Sequence, residues 1–339
     1  MMTESEPTYP LGKLPPDVLA ALLSRYPNRD PRVVIGPRPG EDAAAIDMGE
    51  TYLTVKTDPI TFATDEIGWY AVNVNANDIA AMGAKPEWFM LTLLLPGGQT
   101  TRSGVEAIFA QTASACEALG VTMIGGHTEM TYSLDRPIAV GVMLGTVAKD
   151  RLVATAGAQA GDAVIVTKGV PIEATAIIAR EKADALKGRF SGEFIERCAG
   201  YLHDPGISVV RDAQIACGAG RVHAMHDPTE GGLLNGLWEL AEAAGKRLRV
   251  EPTPAILDDG HRLCEALGLD PLGAIASGAL LLTAHPDDAQ AITRALSAEG
   301  IPAFAIGRVE DGPPFVVTDS RTGQTVARPA RDEIARLFE

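Results

Sequence analysis

Four short segments hold residues whose types and spacing could do chemistry. Asp42 and Asp58 flank two strand-like runs, residues 43–47 and 52–57, joined by the turn-like Met48-Gly49-Glu50. The runs read as a β-hairpin, and each Asp lies eight residues from Glu50 (50 − 42 and 58 − 50). Positions equidistant from a hairpin turn face each other roughly 4.5–5.5 Å apart. Two carboxylates held that close repel unless a cation or a proton intervenes. A cap at each strand end is the alternative. In the second segment, Asn73, Asn75, Asn77 and Asp78 fall inside a predicted helix, residues 66–82. Asn and Asp are mediocre helix formers because their side chains compete for backbone groups. Asn77 and Asp78 could supply oxygens to a hard cation, and magnesium favours one or two carboxylates together with substrate phosphates. The alternative is a polar, solvated helix face.

The third segment is Gly125-Gly126-His127-Thr128-Glu129, after a short predicted strand at 121–124. Paired glycines let a backbone approach a ligand, and the hydroxyl and carboxylate that follow can orient it. A simple strand-to-loop turn with a loop histidine is the alternative. The fourth is His226-Asp227-Pro228-Thr229-Glu230-Gly231-Gly232-Leu233. Asp227 or Thr229 can cap the helix that follows, and Leu233, Leu237, Leu240, Ala241 and Ala244 give it an apolar stripe. Gly231-Gly232 in its first turn costs roughly 1 kcal/mol per Gly relative to Ala. Approach of a ligand to a positive helix end would justify that cost; plain capping accounts for Asp227 without a ligand.

These segments need a scaffold, and the rest of the chain reads as mixed α and β. A Pro-rich start precedes a helix at 14–26. Beyond the hairpin and the Asn-rich helix, residues 88–95 form an apolar run that reads as a buried strand. Val105, Ile108, Phe109, Thr112, Ala115, Cys116 and Leu119 recur at helical spacing up to Gly120. A strand is expected at 138–147 and a domain boundary near 154–161. The second half begins with a strand at 163–168 and a helix at 172–187. Later come the helix after Asp227, a strand near 278–283, a helix at 287–299 and terminal strands. This is an α/β (α+β) chain in two domains, divided here as a flexible segment and helix at 1–30, a first domain at 31–155 and a second at 156–339. There is no G-x-x-x-x-G-K-[ST] loop and no dinucleotide fingerprint.

Bulk composition narrows the function classes. The chain has 339 residues and a formal net charge of −15, without a Lys/Arg cluster. That argues against nucleic-acid partners. Its longest apolar run is far too short to span a bilayer. Cys116, Cys198, Cys217 and Cys264 form no C-x-x-C motif, Cys116 reads as core filler, and the pattern fits a reducing compartment. The acidic, polar N-terminus is unlike a signal peptide. A cytoplasmic location is expected, without membrane association.

The four segments, in this order, resemble the aminoimidazole-ribonucleotide synthetase (PurM-like) superfamily. Gly40-Glu41-Asp42-Ala43-Ala44 is similar to its G-x-D-A-A segment and Lys56-Thr57-Asp58-Pro59 to its T-D segment. Asn77-Asp78-Ile79-Ala80-Ala81-Met82-Gly83-Ala84-Lys85-Pro86 is similar to its N-D-x-A-x-M-G-A-x-P helix end. Gly125-Gly126-His127-Thr128 and His226-Asp227-Pro228-Thr229-x-Gly231-Gly232 complete the pattern. Within the superfamily the chain most resembles the hydrogenase-maturation HypE family. The resemblance implies a PurM-like fold whose N-terminal domain dimerises through a β-barrel interface, above a C-terminal α/β domain. It implies ATP held with Mg2+ on Asp42, Asp58 and Asp78. Lys13, Asn77, Gly125, Gly126, His127, Thr128, Glu129 and Asp227 would lie at the nucleotide, with Asp227 and His127 as catalytic candidates. The implied activity is ATP-driven activation or phosphorylation of a small-molecule or protein substrate. A thiamine-phosphate-kinase-like activity and a non-catalytic nucleotide-binding assembly role are the alternatives. Two departures stand out. HypE proper ends in a cysteine, whereas here the last cysteine, Cys264, is 75 residues before Glu339 (339 − 264). HypE and the thiamine-phosphate kinases tend to have Asp where His127 stands. Selenophosphate synthetase carries His there, yet usually has a cysteine or selenocysteine near its N-terminus, and none occurs here before Cys116.

Overall fold

The computed structural model describes residues 9, 13–38, 40–61, 65–313, 317–319 and 323–338. Two six-stranded sheets organise them. The first contains β1 (Val33–Ile35), β2 (Ala44–Asp47), β3 (Thr51–Ile60), β4 (Lys85–Pro96), β5 (Thr122–Thr131) and β6 (Ile138–Ala148), in the order β1-β2-β3-β6-β4-β5. Its pairings are antiparallel except β4 with β5. Helix α1 (Pro16–Arg25) precedes it, and α2 (Ile67–Ala81) and α3 (Arg102–Leu119) belong to it. The second contains β7 (Ala163–Thr167), β8 (Val222–His226), β9 (Arg247–Val250), β10 (Leu281–Ala284), β11 (Ala303–Glu310) and β12 (Val317–Asp319), in the order β12-β9-β11-β7-β10-β8. Its helices are α4 (Ile172–Glu181), α5 (Ala183–Leu186), α6 (Gly192–Ala199), α7 (Val210–Ala219), α8 (Gly232–Ala244), α9 (Asp258–Leu267) and α10 (Pro286–Ala298). Mixed strands and helices in both halves match the expected fold class. No described helix is long and apolar enough to cross a membrane.

The central element is α2. Every residue from Ile67 to Ala81 except Trp69 is buried, because the helix is packed by the first sheet on one side and by α7 of the second half on another. Its Asn73, Asn75, Asn77 and Asp78 are therefore not a solvated face. Residue 141 shows how closely the helix lies on β6. A Cβ on Gly141 would stand 2.3 Å from Asn75 Nδ2 and 2.8 Å from the Phe89 ring. Asn75 in turn accepts from the Asp58 N–H at 2.8 Å and donates to the Ala71 carbonyl at 2.8 Å. Helix α3 begins where Thr101 accepts from the Gly104 N–H and ends at the left-handed Gly120, as its spacing predicts. Cys116 is buried on its inner face, and burial pushes the thiol up to about 11.

Three expectations change. The hairpin pairs Asp47 with Tyr52 and Ala44 with Val55, one residue away from symmetry about Glu50. Met48 donates to the Thr51 carbonyl across a two-residue loop, so the centre falls between Gly49 and Glu50. Asp42 and Asp58 are consequently not opposite each other, and Asp42 lies before β2, outside the paired register. Asp58 lies inside β3, paired with Gly141 of β6. The segment Gly125-Gly126-His127-Thr128-Glu129 is no loop but the body of β5. The helix expected at 172–187 breaks at Lys182 into α4 and α5.

Candidate functional site

Carboxylates from both halves converge where the end of α2 meets the end of β8. Asp78 projects from the last turns of α2, Asp58 from β3, Asp42 from the segment before β2, and Asp227 from the residue after β8. Asp42, His226 and Asp227 are buried and offer ligand atoms within 4.8 Å of one another. Asp78 belongs to the same field: its charge acts on Asp227, and those of Asp42 and Asp58 act on it. Asp78 Oδ2 and Asp227 Oδ2 are buried without a hydrogen-bond partner among the described residues. Burial, and after it the neighbouring carboxylates, hold Asp227 well above its ordinary range. Burial raises Asp78 to about 8 despite the attraction of Lys56.

Two cations organise the cluster. Lys56 reaches Asp78 Oδ1 at 2.7 Å and Asp58 Oδ2 at 3.4 Å. Burial opposes its charge, but the two Asp carboxylates outweigh burial and raise its pKa. Sequence reasoning missed Lys56; the signal was its place two residues before Asp58, on the same face of a strand. His226 Nδ1 lies 2.6 Å from Asp42 Oδ1, and its Nε2 lies 2.8 Å from Glu239 Oε2 on α8. Burial alone would lower its pKa, yet Asp42 and Glu239 lift it well above 6.5. With a carboxylate against each ring nitrogen, His226 presents neither nitrogen to a metal. Its role is to orient Asp42. What remains for a cation is Asp42, Asp78 and Asp227, all oxygen donors, with the half-buried Asp58 beside them. No side chain caps α8, so Asp227 is not spent as a helix cap. Gly232 is demanded by packing, since a Cβ there would meet the Leu272 and Ala274 carbonyls at 2.5 Å.

The other expected site residues divide. Lys13 lies at the cluster's edge, 2.7 Å from Glu230 Oε2 and 3.3 Å from Thr229 Oγ1. Asn77 faces away from it: its Nδ2 donates to the Ile207 carbonyl and its Oδ1 accepts from the Val209 N–H, both at 2.8 Å. It fastens α2 to the loop before α7, whose Gly206 and Ser208 carbonyls are gripped by Lys168. Asn77→Ala abandons two buried backbone groups, at about 1–3 kcal/mol each. The expected loss of stability is readable by denaturant unfolding, with the chain still able to fold.

Gly125, Gly126, His127, Thr128 and Glu129 stand apart from the carboxylates within one chain. Asp58 pairs with Gly141, Gly141 with Leu91, and Leu91 with Gly126. Three strand spacings separate Asp58 from Gly126, about 14 Å. Gly126 is required by β4, since a Cβ would stand 1.9 Å from the Leu91 carbonyl. Gly125 meets only the tip of Met90. His127 and Glu129 are exposed and paired at 3.0 Å.

Comparisons with known proteins agree with this architecture. The AIR synthase related protein N-terminal domain matches residues 40–147, and the corresponding C-terminal domain matches residues 159–320. The chain is 30% identical to the selenide, water dikinase of Citrifermentans bemidjiense over 320 residues, covering 85% of this chain and 89% of that protein. It is 30% identical to the carbamoyl dehydratase HypE of Cupriavidus necator, covering 84% and 82%. Among solved structures, HypE in complex with ATP aligns with a TM-score of 0.69 at 21% identity, covering 91% of this chain and 89% of that one. AaThiL complexed with AMPPCP and TMP aligns with a TM-score of 0.72 at 20% identity, covering 94% of each. The chain belongs to the AIR synthase-related family, as a HypE-like member of the PurM-like superfamily.

Proposed function

We propose that the chain is an ATP- and magnesium-dependent enzyme that activates or phosphorylates a second substrate at the joint between two domains, residues 31–155 and 156–339. One observation carries this reading. Asp78 Oδ2 and Asp227 Oδ2, from different halves of the chain, are buried in one carboxylate field with no partner among the described residues. Orphaned buried acceptors call for a specific explanation, and an all-oxygen set of this kind suits magnesium. Asp42, Asp78 and Asp227 would hold the ion, with Asp58 beside the phosphates. When bound, the ion neutralises charge on the transferring phosphoryl group. The chain's own residues do the positioning. Lys56 fixes Asp78 and Asp58, and His226 fixes Asp42. Lys13 presents an ammonium beside Thr229 and Glu230, where it can meet a phosphate. Similarity to a dikinase and to a HypE solved with ATP supports the nucleotide. Calorimetric titration with magnesium-ATP tests binding, and a metabolite screen reading ADP release identifies the acceptor. No binding in the presence of magnesium overturns the proposal.

The same reading calls for a homodimer. β5 is an edge strand with nearly every residue exposed. Met123, Ile124, Met130 and the neighbouring Trp88, Met90 and Tyr132 present apolar surface there. Long apolar edges are normally covered. A second copy covering this edge would carry Gly125, Gly126, His127, Thr128 and Glu129 toward the partner's carboxylates, where His127 could act. Light scattering at micromolar concentration should give twice the chain mass. Ile124→Glu should shift it to the monomer and weaken magnesium-ATP binding with it.

A further inference from the structure

One buried carboxylate lies beside the cluster and is used by none of the chemistry above. Glu173, in the first turn of α4, is 5% exposed, and its Oε2 has no hydrogen-bond partner among the described residues. Ser277 donates to it through its hydroxyl and backbone N–H. The largest charges that act on it are Glu230 and Asp332, both negative. Asp332 is occupied, accepting from the Gly231 and Ile334 N–H groups at 2.6 and 2.8 Å. Arg180, the cation of α4, is held by Asp65 and Glu66 at 2.5 and 3.1 Å. Lys13 is on Glu230. Tyr70 of α2 is buried within reach of the Glu173 charge. It precedes Asp78 by eight residues, about 12 Å along a helix. Glu230 follows Asp227 by three residues. Ala174 donates to the Ile275 carbonyl at 3.1 Å and Ala276 to the Thr229 carbonyl at 3.4 Å, so the backbone joins the segments that carry Glu173, Ser277 and Glu230.

Neither protonation state of Glu173 is satisfied. As a carboxylate it is buried among negative charges, and an unpaired buried charge is costly. As an acid it avoids that charge, and burial raises it to about 8, but Oε2 still lacks a partner. The missing ingredient is a positive group with several N–H donors. An alkylammonium has three donors and no acceptor, which matches two carboxylates and a serine hydroxyl. Lys13 already displays this chemistry on Glu230 and Thr229.

We propose that Glu173, Ser277 and Glu230 form a subsite for the protonated amine of the second substrate. The word substrate rests on the ATP-dependent reading, but amine binding can be measured without nucleotide. Arrival of the ammonium lets Glu173 ionise, so its proton leaves to solvent and binding at neutral pH releases a proton.

The test is calorimetric titration of the full chain with n-butylamine at neutral pH, without nucleotide, in two buffers of different ionisation heat. 1-Butanol and potassium chloride are titrated in parallel. The expected result is binding of butylammonium with proton release, and neither from butanol nor from potassium. Glu173→Gln keeps the side-chain shape and should weaken binding about tenfold or more while abolishing proton release. Ser277→Ala should weaken binding and leave proton release in place, which keeps the test decisive if the first variant folds poorly. Absence of butylamine binding at millimolar concentration overturns the subsite. So does undiminished proton release in Glu173→Gln, or equal proton release by potassium, which would make it an inorganic-cation site. Intact magnesium-ATP binding alongside any of these outcomes would sink the subsite alone.

Discussion

Asp78→Asn should weaken magnesium-ATP binding by about tenfold or more, which corresponds to only ~1.4 kcal/mol, and should leave the metal-free protein as stable as before or more stable. The two effects have opposite signs because the negative charge is needed only in the bound state, while the metal-free fold needs from this side chain an oxygen for Lys56. Without a cation, Asp78 sits in the field of Asp42, Asp58 and Asp227, and burial holds its pKa near 8 against an ordinary 3.8. The sign follows from linkage. A carboxylate raised in the fold binds a proton that the unfolded chain has already lost. Its contribution to stability therefore falls as pH rises from about 4 to about 8. Asn removes that slope and keeps an oxygen for Lys56. Thermal melts of the metal-free variant at both ends of the window, with titration of magnesium-ATP, check both halves. A merely structural Asp78 predicts the reverse pattern, with affinity kept and stability lost. Unchanged affinity in Asp42→Asn, Asp78→Asn and Asp227→Asn alike would refute the site.

His226→Gln should destabilise the metal-free protein by about 3–5 kcal/mol, because removing one partner leaves buried charges uncompensated. The charges are Asp42 and Glu239, at 2.6 and 2.8 Å. Their pH signatures differ. His226 is raised in the fold, so its contribution is complete below 6.5 and is lost as pH rises through its elevated folded value. Glu239 is lowered to about 2, burial being outweighed by the His226 hydrogen bond, so its contribution is complete above 4.5 and fades in acid. The difference in denaturant midpoint between the two proteins should be widest between these limits. A flat difference from acid to alkaline pH would mean that His226 is held neutral.

Sequence reasoning reached this joint through residue type more than through geometry. Four polar residues within six positions of α2 marked the helix, and the structure buries all four; which of them faces the carboxylates was not legible. Asn77 and Asp78 are adjacent, and one turns to the loop before α7 while its neighbour turns to Lys56. That division depends on packing between halves distant in sequence. The hairpin was legible, but its register was not, because a two-residue and a three-residue turn differ by the single residue that sets every facing pair. Gly125-Gly126 suggested a loop because glycine weakens strands, yet pairing along β4 overrides that preference. His226 next to Asp227 was visible, whereas its partners are contributed by residues 42 and 239 and could be found only by folding.

The packing of Asn75 against Gly141 also constrains how such chains can diverge. Any side chain at 141 collides with the amide at 75, and the amide at 75 holds the backbone of Asp58. A larger residue on the strand is tolerable only after a smaller one has arisen on the helix, and that earlier step releases the Asp58 N–H. The two positions therefore form an evolutionary ratchet, in which the permitted order of substitutions passes through a weakened intermediate. Related chains should keep glycine at 141 wherever 75 carries an amide and 89 a phenyl ring, while exposed positions of the same strands drift independently.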